Sequence, residues 1–188
     1  MSQPLKKPAL IIIDVQKGFE DEKWGERNNH DAEQKIFELL TLWRQKEYPI
    51  IHIQHLSQNP SSCFYPSHPG VVFQEIVQPL PHEIVIQKNV NSAFIGTNLE
   101  EYLHSNDIQE VVIVGMTTPH CVSTTTRMSG NLGFTTYLVS DATAAFGLQG
   151  FNGKYLNPDV VHEVTLGALH NEFATVLPMQ DLLPLLAP

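Results

Sequence analysis

Three side chains able to do chemistry each stand at or just after an apolar run rich in Val and Ile. Asp14 follows ALIII, Lys88 ends EIVIQK, and Cys121 comes shortly after EVVIVGM. A thiolate can attack a carbonyl carbon, a carboxylate can accept and return a proton, and an ammonium can stabilise the thiolate. These residue types together supply a nucleophile, a base and a cation.

Each residue alone is weak evidence for a site. A strand-end aspartate is more often a turn residue, a strand-end lysine is usually solvated, and a lone cysteine is usually buried and inert. Burying Asp14 and Lys88 together would cost on the order of several kcal/mol per ion unless hydrogen bonds offset it. A shared position for Asp14, Lys88 and Cys121 therefore favours function over packing.

Six apolar runs alternate with segments of helical periodicity. Most of the runs are continuous, which is typical of strands covered on both faces of a sheet. Within residues 31–47, Ile36, Leu39, Leu40 and Trp43 fall on one apolar stripe of a helix. The pattern predicts strands at 9–15, 49–55, 83–88, 110–116, 135–141 and 173–178, and helices at 31–47, 97–108, 119–132 and 157–171.

This alternation predicts a three-layer α/β/α sandwich, Rossmann-like, around a mostly parallel six-stranded sheet. A chain of 188 residues fits a single domain spanning residues 1–188. The loop 56–82 is long for such a domain, and long loops are usually functional or mobile. Ligands of open parallel sheets bind beyond the carboxyl ends of the strands, so the site is expected at that edge.

The residues after the fourth predicted strand suggest how the thiol could be activated. We predict that Thr118 caps the following helix and that Pro119 takes its first position, which places Cys121 in the opening turn. Free amides and the helix dipole favour an anion there, so the pKa of the thiol is expected to be lowered.

Two other helix starts carry capping signals. Thr97 is followed by Glu100 at the spacing of a capping box, in which each side chain bonds the backbone of the other. Asn157 precedes Pro158, and proline suits the first position of a helix.

Composition and charge limit the partners and the location. The formal net charge of -9 repels phosphate backbones and anionic membranes, so we expect no nucleic-acid and no membrane partner. The N-terminus has neither a spanning segment nor a signal peptide, which predicts a cytoplasmic protein. Cys63 and Cys121 are the only cysteines, too few for a disulfide framework or a four-cysteine metal site.

The sequence resembles the isochorismatase-like cysteine hydrolases, a superfamily that includes nicotinamidase, N-carbamoylsarcosine amidohydrolase and isochorismatase. The resemblance covers nearly the whole chain, through ALIIIDVQKGF, IQKNVNSAF, VVIVGMTTPHCVSTTTR, VSDATAAF and HEVTLGALHNEFATVL. It implies a catalytic triad of Asp14, Lys88 and Cys121. It also implies a cis peptide at Met116-Thr117 and an oxyanion hole formed by the backbone N–H groups of Thr117 and Cys121.

The reaction that this resemblance implies is hydrolysis of a C–N bond in a small amide, ureide or carbamoyl compound through a Cys121 thioester. Isochorismatases that cleave a vinyl ether often lack the cysteine, so its presence favours C–N hydrolysis and leaves vinyl ether hydrolysis as an alternative. Family members are commonly homo-oligomers, so a dimer or tetramer is expected, with a neighbouring subunit able to contribute to the pocket.

Metal binding is not expected. Nicotinamidases hold a metal through an Asp-x-His pair after the second strand, whereas this chain reads HIQHLSQNP there, with Gln54. The spacing of the histidines resembles no ligand motif, so we predict no metal and no cofactor. His55 is the histidine that we consider the best candidate for a role in the site, because the alternation of side chains along the strand directs it there.

Residues that would contact substrate are predicted to be Phe19, His55, Phe94 and His120. Trp24, Tyr65, Phe151 and Tyr155 also fall in predicted loops near the expected edge of the sheet, but aromatic loop residues can equally cover the core or a subunit contact.

Three other functions fit parts of the sequence. A nucleotide-binding module fits the fold, but neither G-x-G-x-x-G after the first strand nor a P-loop occurs. A thiol redox sensor would use Cys121, with or without Cys63, although C-x-x-C is absent. A catalytically silent binding protein is disfavoured by the intact set of Asp14, Lys88 and Cys121.

Overall fold

A six-stranded parallel sheet forms the centre of the molecule in the computed structural model, which describes residues 4–186. The predicted sandwich is confirmed, with spatial strand order β3-β2-β1-β4-β5-β8. The short strands β6 and β7 form a separate antiparallel pair. The strands are β1 (Ala9–Ile13), β2 (Ile50–His55), β3 (Ile84–Lys88), β4 (Glu110–Met116), β5 (Thr135–Ala144), β6 (Leu148–Gln149), β7 (Tyr155–Leu156) and β8 (Thr175–Leu177).

Helices cover both faces of the sheet, and the alternation of side chains along β1 shows how. Leu10 and Ile12 point toward α1 and α5, whereas Ile11 and Ile13 point toward α2, α3 and α4. Both sets are fully buried, which explains why the strands read as continuous apolar runs. The helices are α1 (Ala32–Lys46), α2 (Leu99–Ser105), α3 (Ser123–Asn131), α4 (Pro158–Leu169) and α5 (Met179–Leu182).

The predicted helix starts have mixed outcomes. The Asn157 side chain accepts a hydrogen bond from Val160 N at 2.9 Å, which confirms the cap of α4. The capping box at Thr97 is wrong, because α2 begins only at Leu99 and its N-cap residue makes no side-chain bond. The Thr97 hydroxyl donates to the Ala93 carbonyl and accepts from Leu99 N at 3.3 Å, so it joins the preceding turn to the first residue of α2 without the reciprocal bond from Glu100.

The loop 56–82 is tied to the sheet and to α1. Glu83 accepts hydrogen bonds from the Arg44 guanidinium at 2.7 Å and from the backbone N–H of Leu80 at 2.9 Å, and it lies 2.9 Å from the ring of buried His52. Burial alone would raise the pKa of Glu83, but these hydrogen bonds lower it to about 2. The loop therefore has a fixed anchor where it enters β3.

Gly115 allows β4 and β1 to approach closely. Its φ is +122°, and a Cβ at this position would collide with the backbone of Ile13. The register between β4 and β5 shifts at the same place, between Ile113 and Gly115. The backbone is thereby redirected toward the following turn.

Within residues 4–186, none of the helices combines the length and the apolar character needed to cross a bilayer.

Candidate active site

The ends of three strands bring Asp14, Lys88 and Cys121 together. Asp14 follows β1 with a φ of +53°, and its backbone N–H bonds the Ile53 carbonyl at 3.0 Å. Lys88 is the last residue of β3 and pairs in register with His55 of β2. Cys121 lies in a turn after β4. The sequence argument for a shared edge therefore holds in the geometry.

Lys88 is the centre of the cluster. Its Nζ lies 2.7 Å from Asp14 Oδ2, 3.1 Å from His55 Nδ1 and 3.3 Å from Cys121 Sγ. The side chains of Lys88 and Asp14 are 0% and 1% exposed. An ammonium has three hydrogens, so these three partners use its full donor capacity.

The turn that carries Cys121 differs from the predicted helix start. Residues Thr118–Val122 form a π-helical turn, and α3 begins only after it. Thr118 does not cap a helix, because its hydroxyl shares a hydrogen bond with His162 Nδ1 at 2.8 Å. Pro119 does stand in the first turn, and the Met116-Thr117 peptide bond is cis.

The predicted lowering of the thiol pKa is wrong for this structure. Burial raises the pKa of Cys121, and the negative charge of Asp14 raises it further, while Lys88 acts in the opposite direction. Desolvation outweighs the effect of one neighbouring cation, so the sulfur is a neutral thiol at pH 7. Burial also raises the pKa of Asp14 despite the opposing charge of Lys88, which makes its carboxylate a stronger base.

One oxygen of the Asp14 carboxylate is available for a proton. Oδ2 accepts from Lys88, but Oδ1 is buried and has no hydrogen-bond partner among the described residues. A buried acceptor without a partner is unfavourable, and active sites are a common place to find one. The sulfur of Cys121 lies within 4.8 Å of a carboxylate oxygen of Asp14, so the thiol proton has a nearby acceptor.

His55 is held by a residue that the sequence did not single out. The amide side chain of Gln16 donates to the His55 carbonyl at 3.1 Å and accepts from its backbone N–H at 2.8 Å. Burial and the charge of Lys88 lower the pKa of His55, so the ring is neutral and Nδ1 accepts from the ammonium. Gln16 is fully buried and also bonds the Val71 carbonyl at 2.7 Å.

A cavity of about 230 Å³ opens onto the sulfur. Its aromatic wall consists of rings in contact, with centroids 5.3 Å apart for Phe19 and Trp24 and 4.7 Å apart for Phe19 and Phe64. The lining residues are Asp14, Phe19, Trp24, His55, Phe64, Asn91, Thr117, His120 and Cys121.

Most of the predicted pocket residues line this cavity, but Phe94 does not. Phe94 is 8% exposed and packs in the core, with its ring centroid 6.0 Å from that of Phe134. The turn after β3 instead directs Asn91 to the cavity. The sequence did not indicate Asn91 or Phe64 and left Trp24 undecided, because none of the three lies in a segment with a periodic pattern; Trp24 ends a single 3-10 turn.

Asp14, His55 and Cys121 have the residue types of a metal site, with ligand atoms all within 4.8 Å of one another. However, the Lys88 ammonium already bonds one atom of each residue. A metal ion held by these atoms would lie against that ammonium and be repelled by it. As arranged, these residues do not fit a metal.

Comparisons with known proteins show the family and the fold of this chain. Residues 8–181 match the family model described as the Isochorismatase domain. The chain is 57% identical to the isochorismatase family protein YrdC of Bacillus subtilis, over 95% of both chains. It is 26% identical to nicotinamidase 3 of Arabidopsis thaliana, over 90% of this chain and 83% of that protein. A crystal structure from Chromobacterium violaceum, assigned to the same family, superimposes with a TM-score of 0.94 at 41% identity and covers 98% of both chains.

Proposed function

Because this chain belongs to the isochorismatase family, we propose that it is a cysteine hydrolase that cleaves the C–N bond of a small amide, ureide or carbamoyl compound. The observation that carries the proposal is the contact of one buried ammonium with a carboxylate, a thiol and a neutral imidazole. A relative named nicotinamidase supports C–N hydrolysis in the same family.

In the first step Cys121 is the nucleophile and Asp14 is the base. Asp14 Oδ1, which has no hydrogen-bond partner within residues 4–186, takes the thiol proton as the sulfur attacks the carbonyl carbon. The negative charge then moves from the carboxylate to the sulfur, where Lys88 Nζ at 3.3 Å stabilises it. Because burial raises the pKa of Cys121, the resting sulfur is protonated and a base must remove its proton during the attack.

The tetrahedral intermediate carries its charge on the former carbonyl oxygen. The backbone N–H groups of Thr117 and Cys121, both on residues that line the cavity, are the donors that stabilise it. When the C–N bond breaks, the leaving nitrogen takes the proton from Asp14 and departs as ammonia or an amine. The product on the enzyme is a Cys121 thioester.

Hydrolysis of the thioester reverses the proton transfers. Asp14 takes a proton from water, the resulting hydroxide attacks the thioester carbon, and the C–S bond breaks. The proton returns to the sulfur, so the products are an acid and the regenerated thiol. Phe19, His55 and His120 are the side chains that we assign to holding the substrate.

Substitution of the nucleophile tests this proposal. Cys121→Ala and Cys121→Ser should both fold, because the side chain is small and neither replacement is larger. Ammonia release from a panel of primary amides, ureides and carbamoyl compounds should fall to background in both variants. Mass spectrometry of the wild-type protein under rapid quenching should detect an acyl group on Cys121. Full activity in Cys121→Ala would refute the proposal.

A vinyl ether hydrolase would give a different result. That reaction needs acid catalysis and no acyl-enzyme, so activity would survive in Cys121→Ala and disappear in Asp14→Asn. Cys63 serves as the control for general thiol chemistry, because its Sγ bonds the Gly18 carbonyl, away from Lys88.

A further inference from the structure

The cavity above Cys121 has no cation available for a negatively charged substrate among residues 4–186. Lys88 is the nearest positive charge, but its three hydrogens are directed to Asp14, His55 and Cys121. No N–H of this ammonium remains to bind a carboxylate of the substrate. The formally charged residue on the lining itself is Asp14, an anion.

Two cations close in sequence to Trp24 of the cavity wall are engaged with acidic partners. Lys23, next to Trp24 of the aromatic wall, bonds Asp21 at 3.0 Å. Arg27 makes two bonds of 2.7 Å to the carboxylate of Glu33. A bidentate pair of this kind uses the face of the guanidinium that would otherwise bind a carboxylate.

His120 does not supply a positive charge at neutral pH. It lines the cavity, and its Nδ1 shares a hydrogen bond with the Thr117 hydroxyl at 3.0 Å. Burial lowers the pKa of this ring, so the imidazole is neutral. The net charge of -9 adds a field that repels anions from the whole molecule.

The rest of the lining favours a flat, apolar group. Phe19 touches both Trp24 and Phe64, and this wall faces a space of about 230 Å³. That volume is below the range of roughly 300–1,000 Å³ typical of ligand pockets. The other polar side chains of the lining, on His55, Asn91, Thr117 and His120, are uncharged at neutral pH and can hydrogen-bond an uncharged amide.

We propose that the substrate is an uncharged carboxamide or ureide with a flat apolar group, and that the cavity disfavours amides that carry a carboxylate. This selectivity rests on the proposed function for the reaction, but it concerns the charge of the molecule that enters. A carboxylate would lose its water in this cavity without gaining a cationic partner.

A pair of alkylating reagents tests charge selectivity without knowledge of the substrate. Iodoacetamide and iodoacetate deliver the same carbon to the sulfur, one neutral and one anionic. The quantity compared is the rate with iodoacetamide divided by the rate with iodoacetate. We expect this ratio to be larger for Cys121 than for 2-mercaptoethanol, an uncharged thiol, by roughly tenfold or more, because the anion must lose its water to enter the cavity. Mass spectrometry of the peptide that contains Cys121 measures both rates. A ratio equal to or below that of 2-mercaptoethanol would overturn the inference.

A lysine added to the lining should weaken the preference of Cys121 for iodoacetamide over iodoacetate. Asn91 is exposed at the mouth of the cavity, so Asn91→Lys should fold and place an ammonium beside the entering reagent. Asn91→Met is the matched control, with similar length and no charge. Iodoacetate should gain in Asn91→Lys and not in Asn91→Met. An equal gain in both variants would show that space, rather than charge, limits the anion.

Two amides of nearly equal shape separate this inference from the proposed function. Isophthalamide is neutral, and 3-carbamoylbenzoate replaces one of its amides by a carboxylate. We expect ammonia release from isophthalamide, or its protection of Cys121 from iodoacetamide, to exceed that of 3-carbamoylbenzoate. Protection without turnover would support the charge selectivity and count against hydrolysis. Ammonia release from 3-carbamoylbenzoate equal to or faster than that from isophthalamide would overturn the inference and leave the proposed hydrolysis intact. If neither amide is hydrolysed or protects Cys121, the proposed flat, neutral substrate is wrong.

Discussion

Replacing Lys88 by methionine should leave a buried carboxylate without its counter-ion. Lys88 Nζ lies 2.7 Å from Asp14 Oδ2, and both side chains are almost completely buried. Removing one partner of such a pair typically costs about 3–5 kcal/mol. Asp14 can limit the loss by taking up a proton, which from an ordinary pKa of 3.8 costs about 4 kcal/mol at pH 7. We therefore expect the free energy of unfolding of Lys88→Met to fall by about 3–4 kcal/mol at pH 7.

The sign of the pH dependence follows from that proton. In the wild type, burial already raises the pKa of Asp14 above its ordinary value of 3.8, and in Lys88→Met it should rise further because the opposing cation is gone. Between the folded pKa of the wild type and that of the variant, the variant keeps a proton that the wild type releases, and its loss of stability relative to the wild type grows by about 1.4 kcal/mol per pH unit. Urea unfolding of the wild type and the variant between pH 4 and pH 7 measures the difference.

Two further variants make the measurement decisive. Asp14→Asn combined with Lys88→Met should recover most of the lost stability, because no uncompensated charge remains. Lys17→Met removes an exposed ion pair with Glu75 at a similar distance of 3.1 Å, and it should cost less than about 1 kcal/mol. The reasoning is refuted if Lys88→Met costs no more than Lys17→Met, if its effect is independent of pH, or if the double variant is no more stable than Lys88→Met.

Three shorter predictions concern other parts of the site and its support. Asp14→Asn should abolish hydrolysis yet speed alkylation of Cys121 by iodoacetamide at pH 7, because it removes a charge that raises the thiol pKa; slower alkylation would contradict this cause. The pKa of Glu83 is lower in the folded state than in the unfolded state, so the ionised carboxylate stabilises the fold by up to about 3 kcal/mol. This contribution is present above pH 4.5 and is lost as the pH falls toward 2, and Glu83→Gln should not show this loss during acid unfolding. Gln16→Ala should lower stability by about 1–3 kcal/mol and reduce kcat/KM, because the His55 backbone N–H loses its acceptor; a loss of stability with unchanged kinetics would show that Gln16 does not position His55.

The strands and the shared edge could be predicted because they depend on local and topological rules. Continuous apolar runs indicate buried parallel strands. The carboxyl ends of parallel strands lie at the same edge of the sheet, and this does not depend on the conformation of the loops. Asp14, Lys88 and Cys121 are visible in the sequence because each stands next to such a run. The predicted single domain, the homo-oligomer and the cytoplasmic location remain predictions.

The parts that could not be predicted depend on partners far away in the chain. Thr118 looks like a helix cap until His162, from α4, bonds its hydroxyl. The thiol pKa follows from burial, which a list of neighbouring charges does not reveal. Phe94 and Phe64 are both aromatic loop residues, and only the packed structure separates the core position from the cavity wall.

The central sheet divides the apolar core into two halves, and only one of them contains a residue of the proposed active site. The half beneath α1 and α5 contains Leu10 and Ile12 but none of the residues that line the cavity. The other half contains Cys121, which belongs to one cluster with buried side chains of β1, β4 and α2. Substitutions in the core under α1 should therefore change thermal stability more than turnover. Substitutions in the cluster that contains Cys121 are expected to affect both stability and turnover.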